Sequence, residues 1–173
     1  MTLLLILPTL NTGKNAEGAL IVNWQNDRNH KPTGDINAFA WIYAQKTGEL
    51  QQDGKHVATG YSGFDDGKNN PAMEAAPSCG PIPHGEWTIT GPPANTRDHG
   101  PWVLRLEPSP ETRTFGRSGF LMHGDSKESP GCASHGCIVM PRSAREQVWN
   151  SGDRKLEVVA ELPVRNSDDD VDV

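Results

Sequence analysis

Short runs of apolar and β-branched residues alternate with polar, turn-forming residues along most of this chain. Gly, Pro or Asp residues lie in the segments that separate these runs, which is the pattern of half-buried strands rather than of long helices. The strands predicted in this way cover residues 19–22, 40–44, 56–59, 86–90, 102–106, 119–122 and 156–160. Residues 47–50 have the composition of a hairpin turn. We therefore expect a mainly β protein, with its short strands arranged as a sandwich or barrel.

One segment has the pattern of a helix instead. Ser143 is a candidate N-cap, and Glu146 follows three residues later, as in a capping box. Val148 and Trp149 then supply apolar packing one turn further on. The fold prediction thus includes one or two short helices.

The amino-acid composition changes twice along the chain, which suggests three parts. Residues 1–38 are dominated by polar, turn-prone segments and are predicted to be an extension, residues 39–162 hold most of the strands, and residues 163–173 form an acidic tail with almost nothing to bury. At 173 residues, a second independent core would leave each half marginal in size. We expect a single catalytic domain over residues 39–162 and a solvated tail.

Composition and charge remove several classes of function. The 18 glycines and 14 prolines fit a turn-rich globular protein. The net charge is -6 without any basic stripe, so a nucleic-acid partner is not expected. The apolar opening at residues 3–7 stops at Pro8 and lacks preceding basic residues. It is too short to span a bilayer and does not resemble a secretory signal, so neither a membrane anchor nor a signal peptide is expected.

Three cysteines make an odd count, so at least one thiol is unpaired in a monomer. Cys137 is the candidate nucleophile, because Gly136 precedes it and lets the backbone approach a substrate closely. The amides near Gly136 and Cys137 are candidate oxyanion donors. His123, at the end of an apolar strand, is the candidate base that would activate the thiol, so Cys137 is expected to be the most reactive cysteine.

The sequence Ser-His-Gly-Cys-Ile at residues 134–138, preceded by His123, resembles the signature of L,D-transpeptidase catalytic domains of the YkuD type. Segments 60–63, 69–71, 80–87 and 116–120 are more specifically similar to the L,D-transpeptidase effectors of type VI secretion, the Tlde family. The resemblance covers about residues 41–159. It implies a mostly β, L,D-transpeptidase-like sandwich and an enzyme that needs no cofactor and no metal.

The resemblance also implies roles for individual residues. Cys137 would attack the diaminopimelate carbonyl of a tetrapeptide stem and expel D-alanine, with His123 as general base. Ser134, His135 and Gly136 would shape the oxyanion hole and orient the pair, although His135 could also replace His123 as the base. The residues expected to contact substrate are Arg117, Tyr61, Ser62, Gly124 and Asp125. Arg117, Arg142 and Arg145 are candidate carboxylate ligands, because a guanidinium binds a carboxylate with two hydrogen bonds, and Arg117 is the preferred one.

As a type VI effector, the protein would be a toxin secreted without a signal peptide by a contact-dependent system. It would act in the periplasm of the target cell on peptidoglycan stem peptides. The secretion apparatus and a cognate immunity protein of the producing cell would be its protein partners.

Two departures from the housekeeping enzymes bear on the reaction. The loop between His123 and Ser134 is short and contains Pro130 and Gly131, and Val139 stands where those enzymes usually place Arg or Asn. A short loop leaves little chain to build an acceptor channel, which favours hydrolysis or exchange of D-amino acids over cross-linking.

Three other functions remain open on sequence: a cross-linking transpeptidase, a non-catalytic peptidoglycan-binding module, and a zinc hydrolase using His123, His135 and Cys137. Cys79 and Cys132 are equally compatible with a disulfide and with two free thiols.

Overall fold

The computed structural model describes residues 12–14, 20–22 and 41–162, and the chain divides into two units, Met1–Asp35 and Ile36–Val173. In the first unit, β1 (Thr12–Lys14) pairs antiparallel with β2 (Leu20–Val22). β2 confirms the strand predicted at residues 19–22. The remainder of the extension and the acidic tail at residues 163–173 lie outside the described residues, so the three-part division of the chain stays a prediction.

The described part of the second unit is built from short strands and one α-helix. The strands are β3 (Trp41–Ala44), β4 (Glu49–Gln52), β5 (Lys55–Thr59), β6 (Tyr61–Ser62), β7 (Gly85–Thr96), β8 (Gly100–Pro108), β9 (Leu121–His123), β10 (Ile138–Val139) and β11 (Lys155–Val159). The helix is α1 (Arg142–Asn150), and two short 3-10 turns cover Asp65–Gly67 and Pro71–Met73. A mainly β fold with few helical residues, as predicted, is confirmed.

The nine strands of this unit form one sheet, in the order β5-β4-β3-β11-β7-β8-β9-β10-β6. β5 and β6 occupy opposite edges of that order, yet only Gly60 separates them along the chain. The sheet must therefore curve until its edges meet, which removes most of the exposed edge. Gly60 is required at this junction, because a Cβ there would overlap the Val139 carbonyl oxygen.

Alternation of side chains places the core on the concave side of the curved sheet. The largest buried residues come from every second position of the central strands. They include Trp41, Tyr43, Trp87, Ile89, Leu104, Leu106, Met122, Ile138, Leu156 and Val158. β9 and β10 are therefore anchored to the core by Met122 and Ile138, and this anchoring fixes the residues on their opposite face.

The helix begins earlier than the sequence suggested. α1 starts at Arg142 with Pro141 as its N-cap, and no side chain caps it. Ser143 consequently lies inside the first turn, and the capping box predicted for it is wrong. Proline has a fixed φ suited to a helix start, so the chain can enter the helix at Pro141 without a side-chain cap. Glu146 instead forms an i,i+4 ion pair with Arg142, 2.6 Å between Nε and Oε1.

Candidate active site

The thiol and the imidazole lie on neighbouring parallel strands. β10 pairs with β9 so that Ile138 is opposite Met122 and Val139 is opposite His123. Met122 and Ile138 point into the core and are fully buried. Because side chains alternate along a strand, Cys137 and His123 fall on the other face, two positions apart in register. The sheet thus places the two residues that the sequence selected on the same face of adjacent strands.

Cys137 is half-buried at the entrance to β10. Its Sγ lies 4.0 Å from the Gly119 carbonyl oxygen. Burial raises the pKa of the Cys137 thiol, while a hydrogen bond from the Leu121 N–H and the charge of Arg117 oppose this effect. The thiol is therefore protonated at neutral pH, and its proton must leave during the reaction. This finding argues against the expectation that Cys137 is the most reactive cysteine in the free protein.

His123 is only 1% exposed, and its two nitrogens have different surroundings. Nδ1 lies 2.7 Å from the Gly124 carbonyl oxygen, so it carries the proton and donates it to that oxygen. Burial lowers the pKa of His123, and the nearby charges of His99 and Arg145 act in the same direction. The ring is therefore neutral with a lone pair on Nε2, which has no hydrogen-bond partner among the described residues. A neutral ring with a free Nε2 is what a general base requires.

Ser134 organises the loop that carries the thiol. Its side chain is fully buried. The hydroxyl accepts hydrogen bonds from the N–H groups of Gly63 and Gly136, both at 3.0 Å, and donates one to the Cys137 carbonyl oxygen at 2.6 Å. One side chain thus fixes the backbone before and at the nucleophile.

Gly136 has φ +136°, and a Cβ at this position would overlap Nη2 of Arg117. Only glycine fits both the backbone conformation and the available space. Its N–H is already bonded to Ser134. Of the two amides predicted as oxyanion donors, that of Gly136 is therefore occupied, which leaves that of Cys137.

Arg117 lies beside the thiol, but its donors are directed at the protein itself. Nη1 donates to the carbonyl oxygens of Glu74 and Pro81, and Nη2 donates to those of Gly80 and His135, at distances from 2.6 to 3.3 Å. These four bonds tie the nucleophile loop to the segment before β7. The observed geometry supports a positioning role and leaves only the Nε–H for a substrate carboxylate.

Tyr61 and Asp125 close the loop that follows His123. The Tyr61 hydroxyl donates to Asp125 at 2.6 Å and accepts from the Ala133 N–H at 2.9 Å. The Asp125 carboxylate also accepts from the N–H groups of Ser126 and Gly131, both at 2.8 Å. Burial alone would raise the pKa of Asp125, but these hydrogen bonds hold it below its usual value. Both side chains are engaged in holding the loop.

Ser62 and Gly124 likewise have structural surroundings. The Ser62 hydroxyl is fully buried, donates to the Gly136 carbonyl oxygen at 3.1 Å and accepts from the Ile82 N–H at 2.8 Å. Gly124 follows His123, and a Cβ on it would lie 3.0 Å from Nη2 of Arg145. Substrate contact by these two residues stays a prediction, as it does for Tyr61.

Two cavities flank the nucleophile loop. The thiol cavity, about 380 Å³, is lined by Pro77, Ser78, Gly116, Arg117, Ser118, Gly119, Phe120, His135, Gly136 and Cys137. The imidazole cavity, about 840 Å³, has walls that include His99, His123, Asp125, Cys132, Met140 and Arg145. Cys137 and His123 therefore open into different cavities, and no hydrogen bond between them is found within residues 41–162.

His135 shares the thiol cavity with Cys137 and is exposed. Its Nδ1 donates to the Ser78 carbonyl oxygen at 3.0 Å, and its ring packs on Phe64 with centroids 5.1 Å apart. His123 and His135 line different cavities, so they do not converge on Cys137 in the way that a zinc site would require. Among the described residues, no group of three or more potential ligands is placed to hold a metal ion.

The remaining cysteines are free. Cys79 is half-buried with its Sγ 3.1 Å from the Phe64 carbonyl oxygen, and Cys132 is exposed. The disulfide alternative for this pair is thus not the state that the structure shows. Within the described part of the chain, no helix has the length and apolar character to cross a membrane.

Two further residues line the imidazole cavity: His99, which was not selected from the sequence, and Arg145, which was one of three candidate carboxylate ligands. The ring of His99, from the β7–β8 turn, packs edge-on against that of His123 with centroids 4.7 Å apart. Arg145, on α1, is only 4% exposed. Neither lies in a motif with His123, so only the fold could reveal their proximity. The spacing of Arg145, three residues before the apolar Val148, was the one available sequence signal that it faces the core.

Comparison with known proteins gives one match. The sequence model of the Tlde1 domain matches residues 56–162. No curated protein and no solved structure matches the chain.

Proposed function

The chain belongs to the Tlde1 domain family, and on this premise we propose that it is an antibacterial effector of type VI secretion that acts on peptidoglycan. Its reaction is cleavage of the bond between diaminopimelate and D-alanine in tetrapeptide stems, followed by hydrolysis or by exchange of D-alanine for another D-amino acid. The nucleophile is the Cys137 thiol, and no cofactor takes part.

The observation that carries this proposal is the placement of Cys137 and His123 on one face of paired strands. The protonated thiol needs a base, and His123 offers a buried, neutral Nε2 without a protein partner. Substrate binding excludes water and draws the two groups into contact, as catalytic hydrogen bonds often tighten only in the complex. The alternation of side chains along β9 and β10 places the two groups on the same face of the sheet, which favours that approach.

The reaction has two stages, acylation of Cys137 and transfer of the acyl group to water or an amine. Nε2 of His123 takes the proton from Sγ, and the thiolate attacks the carbonyl carbon, whose oxygen becomes an oxyanion near the Cys137 N–H. The carbon–nitrogen bond breaks, D-alanine leaves with the proton from His123, and a thioester remains on Cys137. Water or a D-amino acid amine, deprotonated by His123, attacks the thioester and restores the thiol.

The loop at residues 124–133 supports a small acyl acceptor. Asp125 bonds the loop to itself through Gly131, and Tyr61 fastens its end through Ala133. A loop held in this way does not extend over the thiol to form the wall of a channel for a second stem peptide. The thioester is then open to water and to small amines.

The proposed site of action is the periplasm of a target cell, reached through the type VI apparatus. A producer that makes such an enzyme needs an immunity protein to protect its own wall. Co-purification of the protein encoded beside this one, with loss of enzyme activity on binding, is the corresponding expectation.

The deciding experiment is mass analysis of purified muropeptides after incubation with the full chain, with and without a free D-amino acid. Tetrapeptides should become tripeptides or incorporate the added amino acid. Cys137→Ala should abolish both products, and His123→Ala should slow them by about 10²–10⁴-fold. Cys79→Ala, which removes a thiol outside both cavities, is the matched control and should retain activity.

Three results would contradict the proposal. Dimers linked between two diaminopimelate residues as the main product would identify a cross-linking transpeptidase. Unchanged muropeptides together with retained wall binding would identify a binding module. Full activity of Cys137→Ala would exclude a cysteine nucleophile.

A further inference from the structure

The imidazole cavity is lined by a buried arginine that forms no ion pair with the described residues. Arg145 is 4% exposed. A buried arginine is expected to form an ion pair with a carboxylate, since burying an unpaired charge is costly. Within residues 41–162, no Asp or Glu lies within ion-pair distance of its guanidinium. Burial lowers the pKa of Arg145 and the charge of Arg142 acts in the same direction, while the charge of Glu146 opposes them without reaching ion-pair distance.

The hydrogen bonds of Arg145 leave one end of the guanidinium available. Nε donates to the Met140 carbonyl oxygen at 3.1 Å, and Nη1 donates to the carbonyl oxygens of Pro101 and Trp102. These bonds use three of the five N–H groups of an arginine side chain. Nη2 has no hydrogen-bond partner among the described residues, and the side chain lines the cavity.

Nη2 lies close to the proposed base. A Cβ built on Gly124 would be 3.0 Å from it, and Gly124 directly follows His123. His123 contributes another unpartnered polar atom, the buried Nε2, and lines the same cavity. An unpartnered donor and an unpartnered acceptor thus belong to residues that line the same cavity, as a ligand with an anionic group and an amine requires.

The acidic residues of the cavity do not fill this role. Asp125 is engaged by Tyr61, Ser126 and Gly131. Asp98 and Glu128 are exposed at the rim, where water solvates them. Arg145 is thus left for an anion that enters from solvent.

We propose that Arg145 binds the α-carboxylate of a D-amino acid in the imidazole cavity. Arg145 is then the residue that determines specificity for the amino acid that leaves or enters. The inference rests on the proposed function. In an α-amino acid a single carbon separates the amine from the carboxylate, so an amine at Nε2 of His123 places the carboxylate next to that imidazole. Nη2 of Arg145 is the unpartnered donor that lines the same cavity. Water has no carboxylate, so the same contact favours exchange over hydrolysis when free D-amino acids are plentiful.

Binding can be tested without turnover. Full-length protein with Cys137→Ala is titrated with D-methionine and with D-methioninamide, and binding is followed by the chemical shifts of the histidine rings. A hydrogen bond to a charged group is lost with the amide, so D-methionine should bind about tenfold or more tightly. Equal affinities for the two ligands would overturn the proposal, and this arm needs no change at Arg145.

A variant pair locates the effect. Arg145→Met in the same Cys137→Ala background should remove the preference for D-methionine. Arg154→Met is the matched control, because Arg154 also donates to backbone carbonyl oxygens but lies outside the cavity, and it should retain the preference. If Arg145→Met keeps the preference, the carboxylate binds elsewhere and the proposal is wrong. If that variant does not fold, as circular dichroism would show, the comparison of the two ligands on the parent protein decides.

The same comparison in active protein separates this inference from the proposed function. With tetrapeptide stems, exchange by D-methionine should exceed exchange by D-methioninamide by at least the same factor. Selective binding of D-methionine in a protein that leaves muropeptides unchanged would refute the enzymatic proposal and support the carboxylate site. Turnover with equal use of both acceptors would support the enzymatic proposal and refute the carboxylate site.

Discussion

Removing the Ser134 hydroxyl is the sharpest test of how the nucleophile loop is held. Ser134→Ala deletes one oxygen from a fully buried site and leaves the backbone unchanged. Two N–H groups, those of Gly63 and Gly136, lose their acceptor, and the Cys137 carbonyl loses a donor. The space vacated is that of a single hydroxyl, so water does not readily replace these bonds.

The expected cost follows from the number of groups left unpaired. A buried polar group without a partner costs about 1–3 kcal/mol. Three such groups give a loss in the free energy of unfolding of about 3 kcal/mol or more, taking the lower figure for each. Because the loop carries the nucleophile, turnover should also fall, by about 10²-fold for a displacement of the thiol by about 1 Å.

Equilibrium urea unfolding, followed by the fluorescence of the buried Trp41 and Trp87, measures the first effect. Ser126→Ala is the matched control, because the Ser126 hydroxyl also accepts two backbone N–H groups but does so on an exposed loop. Water can replace it there, so its loss should stay within about 0.5 kcal/mol. Equal destabilisation of the two variants, or a loss below about 1 kcal/mol for Ser134→Ala, would refute the reasoning.

Three other outcomes are expected. The apparent pKa of the acid limb in the pH profile of kcat/KM should lie below the ordinary imidazole pKa of about 6.5, because burial lowers the pKa of His123. Stability should also fall as the pH drops below about 6.5, since the unfolded chain then binds a proton that the folded ring does not, and His123→Gln should flatten this profile. An apparent pKa above about 6.5 for the acid limb would contradict the assignment of His123 as the general base. Gly136→Ala should destabilise the protein in thermal melts by at least about 2 kcal/mol more than Gly152→Ala, because both have positive φ but only the first Cβ meets an obstacle. Equal losses of stability in the two variants would show that the nucleophile loop can shift to accommodate the Cβ. At neutral pH, iodoacetamide should label the exposed Cys132 before Cys137, whose rate should keep rising at higher pH because burial raises its pKa. Faster labelling of Cys137 at pH 7 would indicate a preformed thiolate.

The strands with a strong local pattern were predictable, and the shortest ones were not. β3, β7, β8 and β11 each overlap a run of apolar and β-branched residues, because their central positions alternate between core and surface. β6 and β10 are two residues long, too short for any periodicity. β10 pairs with β9 and β6, and β6 pairs with β10, and local sequence does not record such pairing.

The helix start shows how a local signal can mislead. Ser143 and Glu146 have the spacing of a capping box, yet the chain enters α1 at Pro141. Glu146 then pairs with Arg142 rather than with the backbone. Packing of α1 against β8 and β9 fixes its start, and this packing outweighs the small energy of one cap.

By itself, the sequence determined the class of fold, the Cys137 motif and the candidate base, since each depends on residues that are near one another in the chain. Only the tertiary structure decided what their neighbours do. Arg117 was expected to bind a carboxylate but is engaged by four carbonyl groups. Arg145, 22 positions after His123 in the sequence, supplies the free guanidinium end beside it. Which donors of a buried side chain remain free depends on backbone groups brought in from distant strands, and that information exists only after the chain has folded.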